Sequence, residues 1–333
     1  MTIEKLLLIT DGELLNEALV KEVDSATIYP KKVSKGDLFI SDNKDDIKEA
    51  IKNKAVAIIQ EDDKITDASS VAFIKVASIE IAALKILSYI LKKDRDLHFY
   101  LLSPQTLTFF KMIQLKSKDI EYLPNDWKKA FELILNSQKA IFACDNEELA
   151  LKIVPKIKRF DKSVFGYNIE DTLFRSTFRV DKFVYQHKKM TPFHLPHLLE
   201  AVALCQIHCL PYSIDKVDYT KHFIPIFINK ETSITKKEKN DHVVIVVDNV
   251  EDIFEGREYA KEAKVTMSKS IVFTPPKIKI EAYTKPNIFK TPTELVTVVK
   301  TTSFNYGFVY SKNREDLKAL REYFYSFDQL KNT

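Results

Sequence analysis

Histidines and cysteines crowd into one stretch of this chain, at His187, His194, His197, Cys205, His208 and Cys209. These are zinc-ligating types, which would have to converge on one ion at about 2.0 to 2.3 Å. His194 and His197 share one helix-face spacing, and Cys205 shares another with His208 and Cys209. The two sets stand eight to eleven residues apart, which is roughly 12 to 16 Å along a helix. One helix cannot fold them round a single ion, so no metal is expected and buried structural roles are. His194 and His197 stay as candidates for contact with a ligand.

A second group follows the apolar run HVVIVV: Asp248, Asn249, Glu251, Asp252 and Glu255. The carboxyl end of a buried strand is where α/β proteins place ligands. Carboxylates there suit Mg²⁺ with a bound phosphate, and they equally suit the first turn of a helix. Asp248 and Asn249 are the ligand-binding candidates of this group. Cys144 also ends an apolar run, but no histidine stands near it in sequence to activate a thiol.

The elements that must hold these residues alternate. Short apolar runs at Leu6–Thr10, Ala26–Pro30, Leu38–Ile40, Ala55–Gln60 and Val71–Val76 predict strands. A helical pattern runs through Leu14, Leu15, Ala18 and Leu19, and helices are expected over 45–54 and from Ser78 to about Leu91. A charged turn at 92–96 leads to strands at 97–102 and 139–144, with helices beginning near Gln105 and at Asn146. Alternation over 173–186 predicts an antiparallel hairpin. A Pro-bounded helix carries Leu198, Leu199, Val202, Ala203 and Ile207, and the charged stretch 229–241 reads as a linker or exposed loop. Beyond it come the strand 242–248, a helix near 256–263, and a last helix over about 314–325.

The chain has 333 residues, enough for two or three domains. Its net charge of +4 comes from 51 basic and 47 acidic residues without an arginine-rich cluster, so nucleic acid is not an expected partner. No apolar stretch approaches the roughly 20 residues of a membrane span, and the N-terminus lacks a secretory apolar core. Three cysteines, an odd number, give no disulfide framework, and a cytoplasmic location is expected. Only five glycines occur, at 12, 36, 166, 256 and 307, too scattered for a glycine-rich phosphate loop.

The segment KKVSKGDLFI, followed by DDIKEAIKNKAVAIIQ and VAFIKVASIEIAALKILSYIL, resembles the opening DSRxVxxGDLFxA of the Mur ligases. TPFHLPHLLEAVALCQIHCLPYSIDKV is similar to that family's GxHNxxNAxAAxAxAxxLG segment, and VVDNVEDIFEGREYAKEA to the start of its C-terminal domain. Those are cytoplasmic enzymes that build the peptidoglycan peptide on a UDP-linked sugar with ATP. The resemblance implies an α/β chain of three domains: a small N-terminal domain at 1–94, a shortened central domain at 95–235 and a Rossmann-like C-terminal domain at 236–333.

Departures decide the functional expectation. Where the family carries TGTxGKT[ST], this chain reads LLSPQTLTFF, without glycine or lysine and with Pro104 removing a donor. The family's Ser-Arg is replaced by Pro30-Lys31, and its His-Asn corresponds to Pro196-His197. ATP-driven ligation is therefore disfavoured and no cofactor is expected. The reading is a bacterial, cell-wall-related pseudoenzyme that binds a protein partner or a UDP-linked precursor, with Lys31, Lys32, His194, His197, Asp248 and Asn249 as contacts. The alternative is an ATP-independent enzyme acting on a UDP-sugar or another nucleotide-linked substrate in an interdomain cleft.

Overall fold

The computed structural model describes residues 1–17, 19–63, 70–93, 97–116, 119–138, 140–228, 242–262, 269–276, 278, 280 and 286–330. Packing gathers them into two compact units, Met1–Leu107 with Lys116–Phe160, and Thr108–Leu115 with Asp161–Thr333.

The first unit opens with α1 (Ile3–Thr10) and β1 (Glu13–Leu14), then β2 (Ala26–Thr27), β3 (Leu38–Ile40), α2 (Lys44–Lys52), β4 (Ala57–Gln60), β5 (Ala72–Lys75) and α3 (Ile79–Lys93). The sheet order is β1-β5-β4-β3-β2, parallel apart from β1. Strands buried on both faces read as unbroken apolar runs. Alternate residues then serve opposite sides: Leu38, Ile40, Ala57, Ile59 and Ile74 join the cluster that includes α1 and α3, while Phe39, Ile58 and Phe73 meet Ile47 and Ala50 of α2.

The run Leu6–Thr10 is a helix here, which corrects the strand expected from its composition. Thr2 caps α1, its Oγ1 accepting from the Lys5 amide at 3.2 Å, and Ile3, Leu6 and Thr10 are its buried face. A short apolar run carries no period of its own, so the cap and burial decide its conformation. The helical pattern at Leu14 and Leu15 is likewise corrected, because Glu13 and Leu14 pair with Lys75 and Ile74 as an edge strand.

The same unit continues with β6 (His98–Leu101), α4 (Pro104–Ile113), β7 (Ile120–Tyr122), α5 (Trp127–Asn136), β8 (Ile141–Cys144) and α6 (Glu147–Ile153). The strands form a parallel sheet in the order β6-β8-β7. A buried carboxylate ties it to the first sheet. Glu132 on α5 accepts from the Thr27 hydroxyl at 2.6 Å, the Ile28 amide at 2.9 Å and the Asn136 side chain at 3.0 Å. The chain passes into the second unit within α4, after Leu107.

The second unit holds an antiparallel meander of β9 (Gly166–Thr172), β10 (Arg175–Val180) and β11 (Phe183–Lys188). This bears out the hairpin expected over 173–186. The helix α7 (Leu195–Ile207) follows. Then come β12 (Phe223–Ile228), β13 (His242–Val247), α8 (Glu251–Glu262), β14 (Ser270–Thr274), β15 (Asn287–Ile288), α9 (Pro292–Thr301), β16 (Tyr306–Tyr310) and α10 (Arg314–Leu330).

The last sheet runs β12-β13-β16-β14-β15, parallel except for the edge strand β12. Val244, Val246 and Val309 pack with Leu295 and Val299 of α9 and Leu320 of α10. Val243, Ile245, Val247 and Phe308 turn the other way, to Ile253 of α8. Helices on both faces of a mainly parallel sheet are the Rossmann-like arrangement expected for this end of the chain. The close seating of α8 depends on Gly256, where an added Cβ would lie 2.6 Å from the Phe308 ring. The charged stretch 229–241 lies outside the described residues, as does 94–96 of the turn before β6.

Candidate functional site

The register of the last sheet builds the site. β12 pairs antiparallel with β13, and Phe223 stands opposite Val247. The next residues outward are therefore His222 and Asp248, which face each other at the carboxyl end of β13. His222 Nδ1 lies 2.8 Å from one Asp248 oxygen and 2.9 Å from the other. On its other side, His222 Nε2 lies 2.8 Å from the hydroxyl of Thr108 on α4. The His222 side chain is 3% exposed and the Asp248 side chain 28% exposed, so the carboxylate is the member that reaches solvent.

Asn249 continues the arrangement. Its Oδ1 accepts from the Asp252 amide at 2.7 Å, capping the start of α8, and its Nδ2 donates to Asp252 Oδ2 at 2.9 Å. The same carboxylate oxygen meets His194 Nε2 at 3.1 Å. Both members of that pair are buried, and the His194 ring is edged by Phe109, Phe193 and Phe223. Two histidines and two aspartates thus form one polar chain across the second unit, from Thr108 through His222, Asp248, Asn249 and Asp252 to His194.

Electrostatics fixes the direction of the first links. Burial pushes the Asp248 carboxyl up, but the hydrogen bond and charge of His222, helped by Asn249 and Lys221, outweigh it and hold the group below its ordinary value. An ionised Asp248 can only accept, so His222 carries its proton on Nδ1. With that proton on Nδ1, a ring that carries no second proton presents its Nε2 lone pair to the Thr108 hydroxyl, which can donate to it.

The sequence-derived candidates separate into two sets. His194, Asp248 and Asn249 are brought together. His197, in the first turn of α7, lies beside the His194 ring, with centroids 6.1 Å apart, and its Nδ1 is 4.0 Å from Glu200. Lys31 and Lys32 belong to the first unit, in the turn Pro30–Lys32. Lys31 is exposed there, and Lys32 lies 3.4 Å from Glu132 and above the Tyr29 ring. Of the cysteines, Cys144 and Cys205 are buried and Cys209 exposed. Burial pushes the Cys144 thiol up to about 11 and the Cys205 thiol up to about 12, the reverse of an activated nucleophile. Among the described residues, no group of three or more such side chains is placed to hold an ion. His222 and Thr108 went unmarked in the sequence, although a histidine one residue ahead of an apolar run that pairs with HVVIVVD is a readable signal.

The start of α4 is the other strand-end corner. Ser103 Oγ accepts from the Thr106 amide at 3.1 Å and donates to the Thr106 hydroxyl at 2.8 Å. The Leu107 amide is bonded to the Ser103 carbonyl at 2.9 Å, and Pro104 has no amide hydrogen. Ser103, Gln105 and Thr106 are buried. Of the amides at this helix start, those of Thr106 and Leu107 are engaged by Ser103 and Pro104 supplies none, which leaves a poorer phosphate cradle than a glycine-rich loop.

Comparison with solved structures identifies the architecture. The MurF ligase of Thermotoga maritima, solved in complex with ADP, matches with a TM-score of 0.50 at 10% identity, over 93% of this chain and 99% of that one. MurF from Acinetobacter baumannii matches with a TM-score of 0.50 at 12% identity, over 97% and 98%. The fold is that of the Mur ligases, as the sequence resemblance implied. No protein-family model and no curated protein matches the sequence. Among the described residues, no helix is long and apolar enough to cross a membrane.

Proposed function

We propose that this protein is a Mur-ligase-like pseudoenzyme that works in the cytoplasm of a bacterium by binding a cell-wall precursor linked to UDP, or a protein partner, without ATP chemistry. The observation that supports it is the start of α4, where Ser103 and Pro104 stand on a Mur-ligase fold and the Thr106 and Leu107 amides are bonded to Ser103. At the other corner Asp248, partly open at a strand's carboxyl end, has the chemistry to accept hydrogen bonds from sugar hydroxyls. Lys31, Lys32, His197 and Asn249 are further contacts in this reading.

Thermal unfolding with a UDP-linked muramyl peptide tests it, because a ligand that binds only the native state raises the midpoint. At a hundredfold excess over Kd the stabilisation is about 2.7 kcal/mol, a rise of several degrees for a chain of this size. UDP alone is expected to give less, and Mg-ATP nothing. A midpoint that ignores the precursor while rising with Mg-ATP would reverse the reading.

One observation favours a second reading, an ATP-independent enzyme acting on a nucleotide-linked substrate: the hydrogen-bonded Thr108, His222 and Asp248. A buried histidine held between a hydroxyl and a partly exposed carboxylate is an acid–base arrangement as well as a structural one.

A further inference from the structure

We propose that Thr108, His222 and Asp248 form a nucleophilic triad that cleaves an acyl bond, an ester or an amide, through an acyl-threonine intermediate. The inference rests on the second reading and names its reaction class. Triads are identified by geometry and roles rather than by sequence order. Here the hydroxyl stands 2.8 Å from Nε2, and the carboxylate 2.8 Å from Nδ1 of the same ring. Both distances fall within the reach required between nucleophile, base and orienting group.

Each member is fixed by a different element. Thr108 rides on the second turn of α4, His222 leads into β12, and Asp248 directly follows β13. The antiparallel register of β12 and β13 places His222 and Asp248 opposite one another, so the imidazole is oriented by the sheet and not by a loop alone. Thr108 is half-buried and Asp248 partly exposed, whereas the ring between them is buried, so the base is held in place while the hydroxyl keeps some access.

The chemistry balances without a co-reactant other than water. Thr108 Oγ adds to the acyl carbon as its proton moves to His222 Nε2, and Asp248 stabilises the resulting imidazolium. The bond from the acyl carbon to the leaving group breaks, and the leaving alcohol or amine takes the proton from Nε2. Water then adds to the acyl-threonine ester, giving its proton to Nε2. The acid departs, and Thr108 Oγ recovers the proton. Nothing else in the polar chain takes part. Asp252 and His194 form a separate buried pair, joined to Asp248 through Asn249.

The test is covalent trapping of the full chain with an alkyl fluorophosphonate, read by peptide mass spectrometry. The expected result is one adduct on Thr108, no adduct in the near-isosteric Thr108→Val, faster labelling in Thr108→Ser, whose primary hydroxyl is less hindered, and at least a hundredfold slower labelling in Asp248→Asn. The melting midpoint of each variant shows whether it is folded. If the folded wild-type chain remains unlabelled after hours, or the adduct forms elsewhere and persists in Thr108→Val, the triad is overturned. The probe carries no nucleotide, so this failure is distinct from failure of the binding reading: a chain stabilised by the precursor yet inert to the probe binds without this chemistry. A chain labelled on Thr108 yet indifferent to the precursor retains the triad and loses the binding reading.

Discussion

The start of α4 after β6 and the start of α8 after β13 are the same kind of place: a helix leaving the carboxyl end of a strand in a parallel array. They are finished in opposite ways. At α4 a buried serine and a proline close the helix end upon itself. At α8 the cap is an asparagine inside a chain of ionisable groups, and one carboxylate of that chain remains 28% exposed. Position in the fold permits a ligand at both corners. In the proposed reading, the availability of donors and charges favours the second one.

Cutting the polar chain at its buried end is expected to have the largest effect. Asp252→Ala removes the buried carboxylate that bonds His194 and Asn249, and leaving a buried polar group unsatisfied costs about 1–3 kcal/mol, measurable by urea unfolding. A loss below about 1 kcal/mol would mean that the chain at α8 is no more a built feature than the surface around it.

A smaller effect is expected from Ser103→Ala, which removes the α4 cap at a cost of about 1 kcal/mol. The comparison is sharpened by what that variant does not gain: the freed Thr106 amide should confer no ATP binding, because proline still occupies the first turn and the helix's lysine, Lys111, stands in its last turn. Measurable ATP affinity in Ser103→Ala would show that the serine alone closes the corner.

The pH dependence is subtler. The Asp248 carboxyl titrates lower in the folded chain than its unfolded value of about 3.9. Its contribution is therefore fully present above about pH 4 and is lost as pH falls through the lower folded value. Asp248→Asn should flatten that limb of the stability curve while leaving the loss from other carboxylates in place. An unchanged acid limb in the variant would remove Asp248 from the account.

Much of the fold is legible in the sequence because of its strands. HVVIVV, AVAIIQ and KAIFAC are continuous apolar runs, as strands covered on both faces must be. LLLIT is equally apolar but too short to show a period, and its cap at Thr2 and one-sided burial make it α1. FIPIFI is harder to read, since Pro225 argues against a strand. The proline is tolerated because β12 is an edge strand with a single neighbour, β13.

That one element hides half of the candidate site. Asp248 stands out in the sequence because a strand visibly ends there, and His194 because a helix visibly begins after it. His222 becomes meaningful only when β12 is paired with β13, and Thr108 only when α4 is placed 114 positions away from its imidazole partner. Local periodicity carries no information about such separations. The α4 start is legible only in part: the missing glycines and Pro104 are visible in sequence, whereas the Ser103 cap is a matter of geometry.

Calorimetric titration of the purified chain with Mg-ATP, with release of ADP followed in the same sample, tests the central claim most directly. The account predicts no binding heat up to millimolar ATP and no ADP above the no-protein control. Saturable binding at micromolar ATP, or steady ADP release, would contradict it and return the corner at α4 to the nucleotide.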